Sequence, residues 1–271
     1  MLDWLVGGEW PQVMRVRHAI DCYRGGAMMP PRLLLLTTTI AVASFWTPGR
    51  ASQTPTRNDA DEVALGAALV AQFDKDRGVA ASPQSQRIEA YLQTVTDALG
   101  PQAKRTGPWR IHYDPHAGIK SGFALPGGHI VIWGGAVAYM SLEDELAAII
   151  AHEMAHTETG QVADRIDNFI AREHRDLRKA SSWNWREFGA TYGEDPEKLC
   201  DVEGAKLIVK AGYSPLGLQM LLESYLALGK VHAPDAPPNR LIVDRVTQIK
   251  AQIASEHWES LTKTRPIKLP S

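Results

Sequence analysis

The sequence has little cysteine and little net charge, and each shortage excludes a class of protein. Two cysteines among 271 residues can form neither a disulfide framework nor a cysteine-rich zinc site. A formal net charge of −2 gives no basic footprint for nucleic acid, which we therefore do not expect as a partner. A hydrophobic fraction of 44% is ordinary for a globular protein, so the chain can bury a core.

One apolar run, residues 33–43, is typical of a signal peptide. It follows a basic start at Arg32 and is shorter than the roughly 20 residues that span a bilayer. Small residues at Gly49 and Ala51 favour cleavage after Ala51. We therefore expect export to the periplasm or cell envelope of a bacterium. The alternative is an uncleaved N-terminal membrane anchor, since residues 45–46 lengthen the run.

Composition shifts divide the chain into parts. The Trp and Asp residues of 1–27 do not suit a signal sequence, so translation starting at residue 28 or 29 would explain that stretch better. The predicted parts are an N-terminal extension of uncertain role at 1–27, a signal peptide at 28–51, a polar linker at 52–58, one folded domain at 59–262 and a C-terminal tail at 263–271.

The folded domain has helical spacing of apolar residues, interrupted by a short region of strand pattern. Alternation at 109–113 and 123–133, with a Pro-Gly-Gly turn inside the second segment, predicts strands. The helix that begins near 141 is expected to have Ser141 as its N-cap. Predicted helices cover 59–76, 85–99, 141–159, 161–185, 197–210, 216–228 and 240–256. The expected fold class is therefore α+β and mainly helical.

The motif His152-Glu153-Met154-Ala155-His156 reads H-E-x-x-H on one of these helices. Residues four apart lie on one helix face, so both imidazoles can reach a single metal ion. Glu153 can take a proton from a water on that metal, which is the minimum equipment for hydrolysing a peptide bond with zinc. Zinc in hydrolases usually has a third protein ligand. The candidates are Glu197, Asp201, Glu203, Cys200 and His174.

Three further stretches accompany the motif: residues 121–128, residues 143–148, and Glu197 to Asp201 followed by Ala-Gly-Tyr-Ser-Pro at 211–215. Together they resemble the HtpX, BepA and CAAX-prenyl-protease family of zinc metallopeptidases. The resemblance implies a zincin-like core with a small β-sheet packed on the H-E-x-x-H helix. It also implies one zinc ion per chain, held by His152, His156 and Glu197 in a gluzincin site, with Asp201 supporting a histidine ring.

The chain departs from the family pattern at several positions. Family members often have Asn where Ser121 stands, His where Gln161 stands, and Glu-Ala where Leu199-Cys200 stands. None of these departures removes a ligand. The group that stabilises the oxyanion is left open, with four candidates: His232, Arg240, Arg245 and Tyr213. The strand at 129–132 is expected to be an edge that pairs with extended substrate.

The function expected is that of a zinc-dependent metalloendopeptidase with Glu153 as general base. Its partner would be polypeptide, in particular unfolded or misassembled envelope proteins, and association with a membrane surface is compatible with the sequence. The alternative is a non-catalytic, chaperone-like or binding protein that keeps the metallopeptidase fold. The oligomeric state is left open.

Overall fold

The computed structural model describes residues 60–77, 82–105, 107–116, 121–232 and 239–270. The predicted N-terminal extension, signal peptide and linker lie outside these residues. Within them, no helix is both long enough and apolar enough to cross a membrane.

Helices account for most of the described structure, which confirms the mainly helical α+β fold class. The segment predicted as helical at 161–185 is helical only to Glu173, because His174 takes a left-handed backbone conformation with φ 54°. The helices are α1 (Ala60–Arg77), α2 (Pro83–Leu99), α3 (Gly134–Tyr139), α4 (Glu143–Glu158), α5 (Gln161–Glu173), α6 (Glu194–Lys210), α7 (Leu216–His232) and α8 (Arg240–Ser255).

Three strands, β1 (Arg110–Asp114), β2 (Gly122–Leu125) and β3 (His129–Trp133), form a small sheet in the order β1-β3-β2. β3 runs parallel to β1 and antiparallel to β2. The turn between β2 and β3 needs glycine, since Gly127 and Gly128 have φ of 77° and 84°. The expectation that 129–132 is an edge strand was wrong: β3 is central, and β2 lies at the edge of the described sheet.

Two apolar clusters pack against this sheet, and α4 belongs to the larger one. The larger cluster joins α2, α4, α6, α7 and α8 to one side, and the smaller joins α1 and α5 to the other. Every residue of α4 from Asp144 to His156 is buried. A helix buried on all sides can carry a polar side chain only where another group of the protein can hydrogen-bond or pair with it.

The start of α4 differs from the sequence prediction. Ser141 is not the N-cap; Leu142 holds that position in extended conformation, because it forms a β-bridge with Pro266. The Glu145 carboxylate accepts hydrogen bonds from the Ser141 and Leu142 backbone N–H groups. The segment predicted as a C-terminal tail therefore packs against the helix that carries the H-E-x-x-H motif.

Asp144 connects this junction to the turn before α7. Its carboxylate is fully buried and accepts hydrogen bonds from the backbone N–H groups of Ser214, at 2.7 Å, and Arg265, at 2.6 Å. Replacing Asp144 with Ala removes the partner of the buried Ser214 N–H group and of the part-buried Arg265 N–H group. We expect a loss of about 3 kcal/mol in the free energy of unfolding, measured by urea denaturation.

The control is Asp97→Ala, which removes a carboxylate that accepts a hydrogen bond from Gln93 on the exposed side of α2. We expect a change within about 0.5 kcal/mol for this variant. Equal losses for the two variants would contradict the role given to Asp144.

Candidate metal centre

The buried helix α4 brings His152, Glu153 and His156 to one place near its C-terminal end. Their exposed fractions are 7%, 6% and 3%. The two imidazole rings have centroids 4.8 Å apart and are nearly perpendicular. One turn of helix therefore supplies two imidazole rings and one carboxylate with almost no contact with bulk water.

Helix α6 crosses α4 at a glycine and brings further acidic groups to the same place. A Cβ atom on Gly204 would lie only 3.2 Å from the backbone nitrogen of His152. Glycine at this position lets the two helix backbones approach closely. Asp201 and Glu197, about one and two turns before the crossing, then reach the histidine rings.

Glu197 faces both histidines through its carboxylate. Its Oε2 lies 3.2 Å from His152 Nε2, and its Oε1 lies 3.9 Å from His156 Nε2. One ligand atom from each of the three residues lies within 4.8 Å of the other two. Two imidazole nitrogens and one carboxylate oxygen at this spacing could hold one metal ion, and the set is one that zinc accepts.

The Nδ1 atoms of both rings are held by groups behind the cluster. His152 Nδ1 lies 2.9 Å from Asp201 Oδ1, and His156 Nδ1 lies 2.7 Å from Gln161 Oε1. A carboxylate and an amide oxygen accept hydrogen bonds, so each ring donates from Nδ1 and directs its Nε2 towards the cluster. Such partners fix the tautomer and orientation of metal-binding histidines.

Charge within the cluster is balanced by Arg245 of α8. Its Nε and Nη2 atoms donate to Asp201 at 2.6 and 2.8 Å, and its Nη1 lies 3.3 Å from Glu197 Oε2. Burial alone would raise the pKa of the Glu197 and Asp201 carboxyl groups. Hydrogen bonds and charge from His152 and Arg245 instead lower both pKa values. Both groups are therefore anionic at neutral pH.

Glu153 occupies a different environment from Glu197. Burial is the main cause that raises the pKa of its carboxyl to about 7. The backbone N–H of Ala124 in β2 donates a hydrogen bond to it and opposes part of this shift. A carboxyl group that titrates near neutrality suits exchange of a proton with water.

The other candidates for a third ligand lie elsewhere. Glu203 pairs with Lys104 and Lys206, and His174 is exposed at the end of α5. Cys200 is buried, with its Sγ 3.3 Å from His156 Nδ1. The sulfur therefore approaches the ring nitrogen that points away from the cluster.

The structure separates the four predicted oxyanion donors. Arg245 lines the cavity, and its three guanidinium nitrogens face Asp201 and Glu197. Arg240 is 93% exposed at the start of α8. Tyr213 lies outside the cavity, under the guanidinium of Arg265. The side chain of His232 lies outside the described part of the chain.

The cluster opens into a cavity of about 240 Å³ between β2, α7 and the segment before α6. Tyr192 of that segment stacks on His156, with ring centroids 4.4 Å apart. The guanidinium carbon of Arg165 lies 3.5 Å from the centroid of the Tyr192 ring. The same guanidinium donates hydrogen bonds to four backbone carbonyls between Glu187 and Thr191. Sequence reasoning missed this wall, because nothing in the spacing of the segment indicates that it folds back onto His156.

A comparison with protein families decides the relationship. The model described as peptidase family M48 matches residues 82–227, which is more than half of the 271 residues. The chain belongs to peptidase family M48. This confirms the resemblance to the HtpX, BepA and CAAX-protease metallopeptidases. No curated protein matches the chain.

The M48 match spans the sheet, the H-E-x-x-H helix and the helix of Glu197. Peptidase chemistry is thus supported both by the family and by a His-His-Glu cluster that could hold a metal. Helices α1 and α8 lie outside the match, although Arg245 of α8 contacts two of the cluster's carboxylates.

The close crossing at Gly204 yields a test. Gly204→Ala gains about 1 kcal/mol of helix propensity, but its Cβ would lie 3.2 Å from the backbone nitrogen of His152, so the two helices must shift by a few tenths of an ångström. We expect zinc affinity, measured by competition with a chelating dye, to fall by about 10-fold or more, as happens when groups that position metal ligands shift.

Gly229→Ala is the matched control, since a Cβ at this helical glycine of α7 meets no atom within 4 Å. This variant gains the propensity without a clash, so its zinc affinity should equal that of the wild type. Unchanged affinity in Gly204→Ala would show that the crossing tolerates a methyl group.

Proposed function

We propose that this M48 protein is a zinc-dependent metalloendopeptidase that hydrolyses peptide bonds in polypeptide substrates. The observation that carries the proposal is the convergence of His152, His156 and Glu197 beside the buried carboxyl group of Glu153. Three protein ligands in a cavity leave room for water and substrate, which is the arrangement of catalytic rather than structural zinc sites.

His152, His156 and Glu197 would hold the ion through Nε2, Nε2 and a carboxylate oxygen. When bound, zinc polarises the scissile carbonyl and lowers the pKa of water towards neutrality. Glu153 accepts the proton of the attacking water and passes it to the leaving amine nitrogen as the C–N bond breaks. Asp201 and Gln161 keep both imidazoles oriented through the turnover.

The edge strand β2 supports an extended mode of substrate binding. Ser121, Gly122 and Phe123 line the cavity beside Glu153, and the other side of β2 is paired with β3. Backbone groups on the open side of an edge strand can pair with an added strand, which gives affinity with little demand on sequence. We therefore propose unfolded or extended polypeptide as the substrate class.

The activity test uses Glu153→Gln in the zinc-loaded protein. The amide keeps the volume of the side chain but cannot accept the proton, so we expect cleavage of unfolded casein to fall by about 10²-fold to 10⁴-fold. Metal content, measured by atomic absorption, should stay at one zinc per chain, because Glu153 is not among the proposed ligands.

Two results would contradict the proposed function. Full activity in Glu153→Gln would remove its role as base. A zinc-loaded wild-type protein that binds unfolded polypeptide without cleaving it would favour the chaperone-like alternative.

For location, we propose export to the bacterial cell envelope, supported by the basic start and apolar run of residues 28–51. We expect N-terminal sequencing to show that the mature protein begins after Ala51. We expect cell fractionation to recover it in the periplasmic fraction. A full-length chain that remains in the membrane fraction would support the N-terminal anchor instead.

A further inference from the structure

The tetrahedral intermediate of peptide hydrolysis needs a hydrogen-bond donor, and most donors that line the described cavity are already used. The nitrogens of Arg245 face Asp201 and Glu197. The Ser121 hydroxyl donates to the carbonyl of Gly122, and the Thr191 hydroxyl donates to Glu197. The oxygen of Tyr192 has no hydrogen-bond partner but is enclosed in the protein. Three of these side chains are therefore directed at partners within the protein, and the fourth has its oxygen buried.

Helix α7 presents one further polar side chain to the cavity. Leu218, Leu221, Leu222 and Tyr225 all line it, and their spacing puts them on one helix face. Three of these residues are aliphatic, so this wall is apolar except at the phenol of Tyr225. Within the described residues, that phenol makes no hydrogen bond.

We propose that Tyr225 is a catalytic residue whose phenol O–H donates a hydrogen bond to the oxyanion of the tetrahedral intermediate. This inference rests on the proposed function. As the water oxygen bonds to the carbonyl carbon, the π electrons of the carbonyl move to its oxygen, and the water proton goes to Glu153. The phenol hydrogen bond stabilises the oxygen while it carries the negative charge, and the carbonyl re-forms when the C–N bond breaks.

The surroundings of the phenol suit this role. Burial, followed by the charge of Glu153, raises the pKa of Tyr225, while Arg245 opposes the shift, and Asp201 and Glu197 add to it. The hydroxyl thus stays protonated near three carboxylates of the site. A cationic donor at this position would pair with Glu153 or Glu197 and close the cavity. The phenol is uncharged and donates a hydrogen bond without forming such an ion pair.

The test is Tyr225→Phe in the zinc-loaded full chain, which removes one oxygen and keeps the ring. We expect kcat on casein-derived peptides to fall by about 10²-fold to 10³-fold, with KM changed by no more than about twofold. The affinity for a phosphinic peptide, which mimics the tetrahedral intermediate, should fall by a similar factor in calorimetry. Zinc content and melting temperature should match the wild type.

Tyr213→Phe is the matched control, because Tyr213 lies outside the cavity and keeps its contact with Arg265 through the ring. It should retain both kcat and phosphinate affinity. Three outcomes would overturn the proposal: a Tyr225→Phe enzyme within about threefold of wild type on both readouts, a rise in KM alone, or equal losses in both tyrosine variants. A wild-type protein that cleaves nothing would refute the proposed function, whereas the phosphinate series reports on Tyr225 by itself.

Discussion

Asp201 has no exposed surface, and its carboxylate contacts the ring of His152 on one side and the guanidinium of Arg245 on the other. Moving a carboxylate out of water costs several kcal/mol, which a single hydrogen bond does not offset. Here two charge-assisted bonds from Arg245 and one from His152 act together. Because the three groups come from α6, α8 and α4, one buried charge fixes the relative position of three helices.

This arrangement explains why the site tolerates so little freedom. Loss of Arg245, the cationic partner of Asp201, would leave an uncompensated buried charge, at a cost of about 3–5 kcal/mol. The same contacts determine where His152 points, so the packing of the helices also orients this proposed ligand. Arg245 also reaches Glu197, and the guanidinium therefore positions the residue proposed as the third ligand. The predicted role of Arg245 as an oxyanion donor stays a prediction.

The sequence predicted where helices and strands lie along the chain better than it predicted which elements pack against each other. Apolar spacing located α1, α2, α4, α6, α7 and α8, because these helices bury one face or more. It could not tell that β3 lies between β1 and β2, since a central strand and an edge strand carry the same local pattern in a sheet this small. Ser141 was misjudged as a cap for a similar reason: its pairing partner, the segment around Pro266, is distant in sequence.

The site residues also divide into those that local spacing predicts and those that only tertiary packing brings to the site. The spacing of H-E-x-x-H indicates a shared helix face by itself, whereas Glu197 emerged from family resemblance, because candidates such as Glu203 fit spacing equally well. Tyr192 and Tyr225 carry no motif at all. Their relevance depends on a loop folding back and on which face of α7 meets the cavity, and both are results of tertiary packing.

Two departures from the family pattern, Gln161 and Cys200, meet in space behind His156. Gln161 Oε1 accepts a hydrogen bond from His156 Nδ1. Cys200 Sγ lies 3.3 Å from Gln161 Nε2 and 3.3 Å from His156 Nδ1. His156 is therefore supported by neutral groups, whereas His152 is supported by a carboxylate. A carboxylate partner raises the basicity of a ligating imidazole more than an amide does, so the two rings are unequal donors. The departures thus change the electronic character of one proposed ligand without removing it, and Tyr192 stacks on the ring of His156.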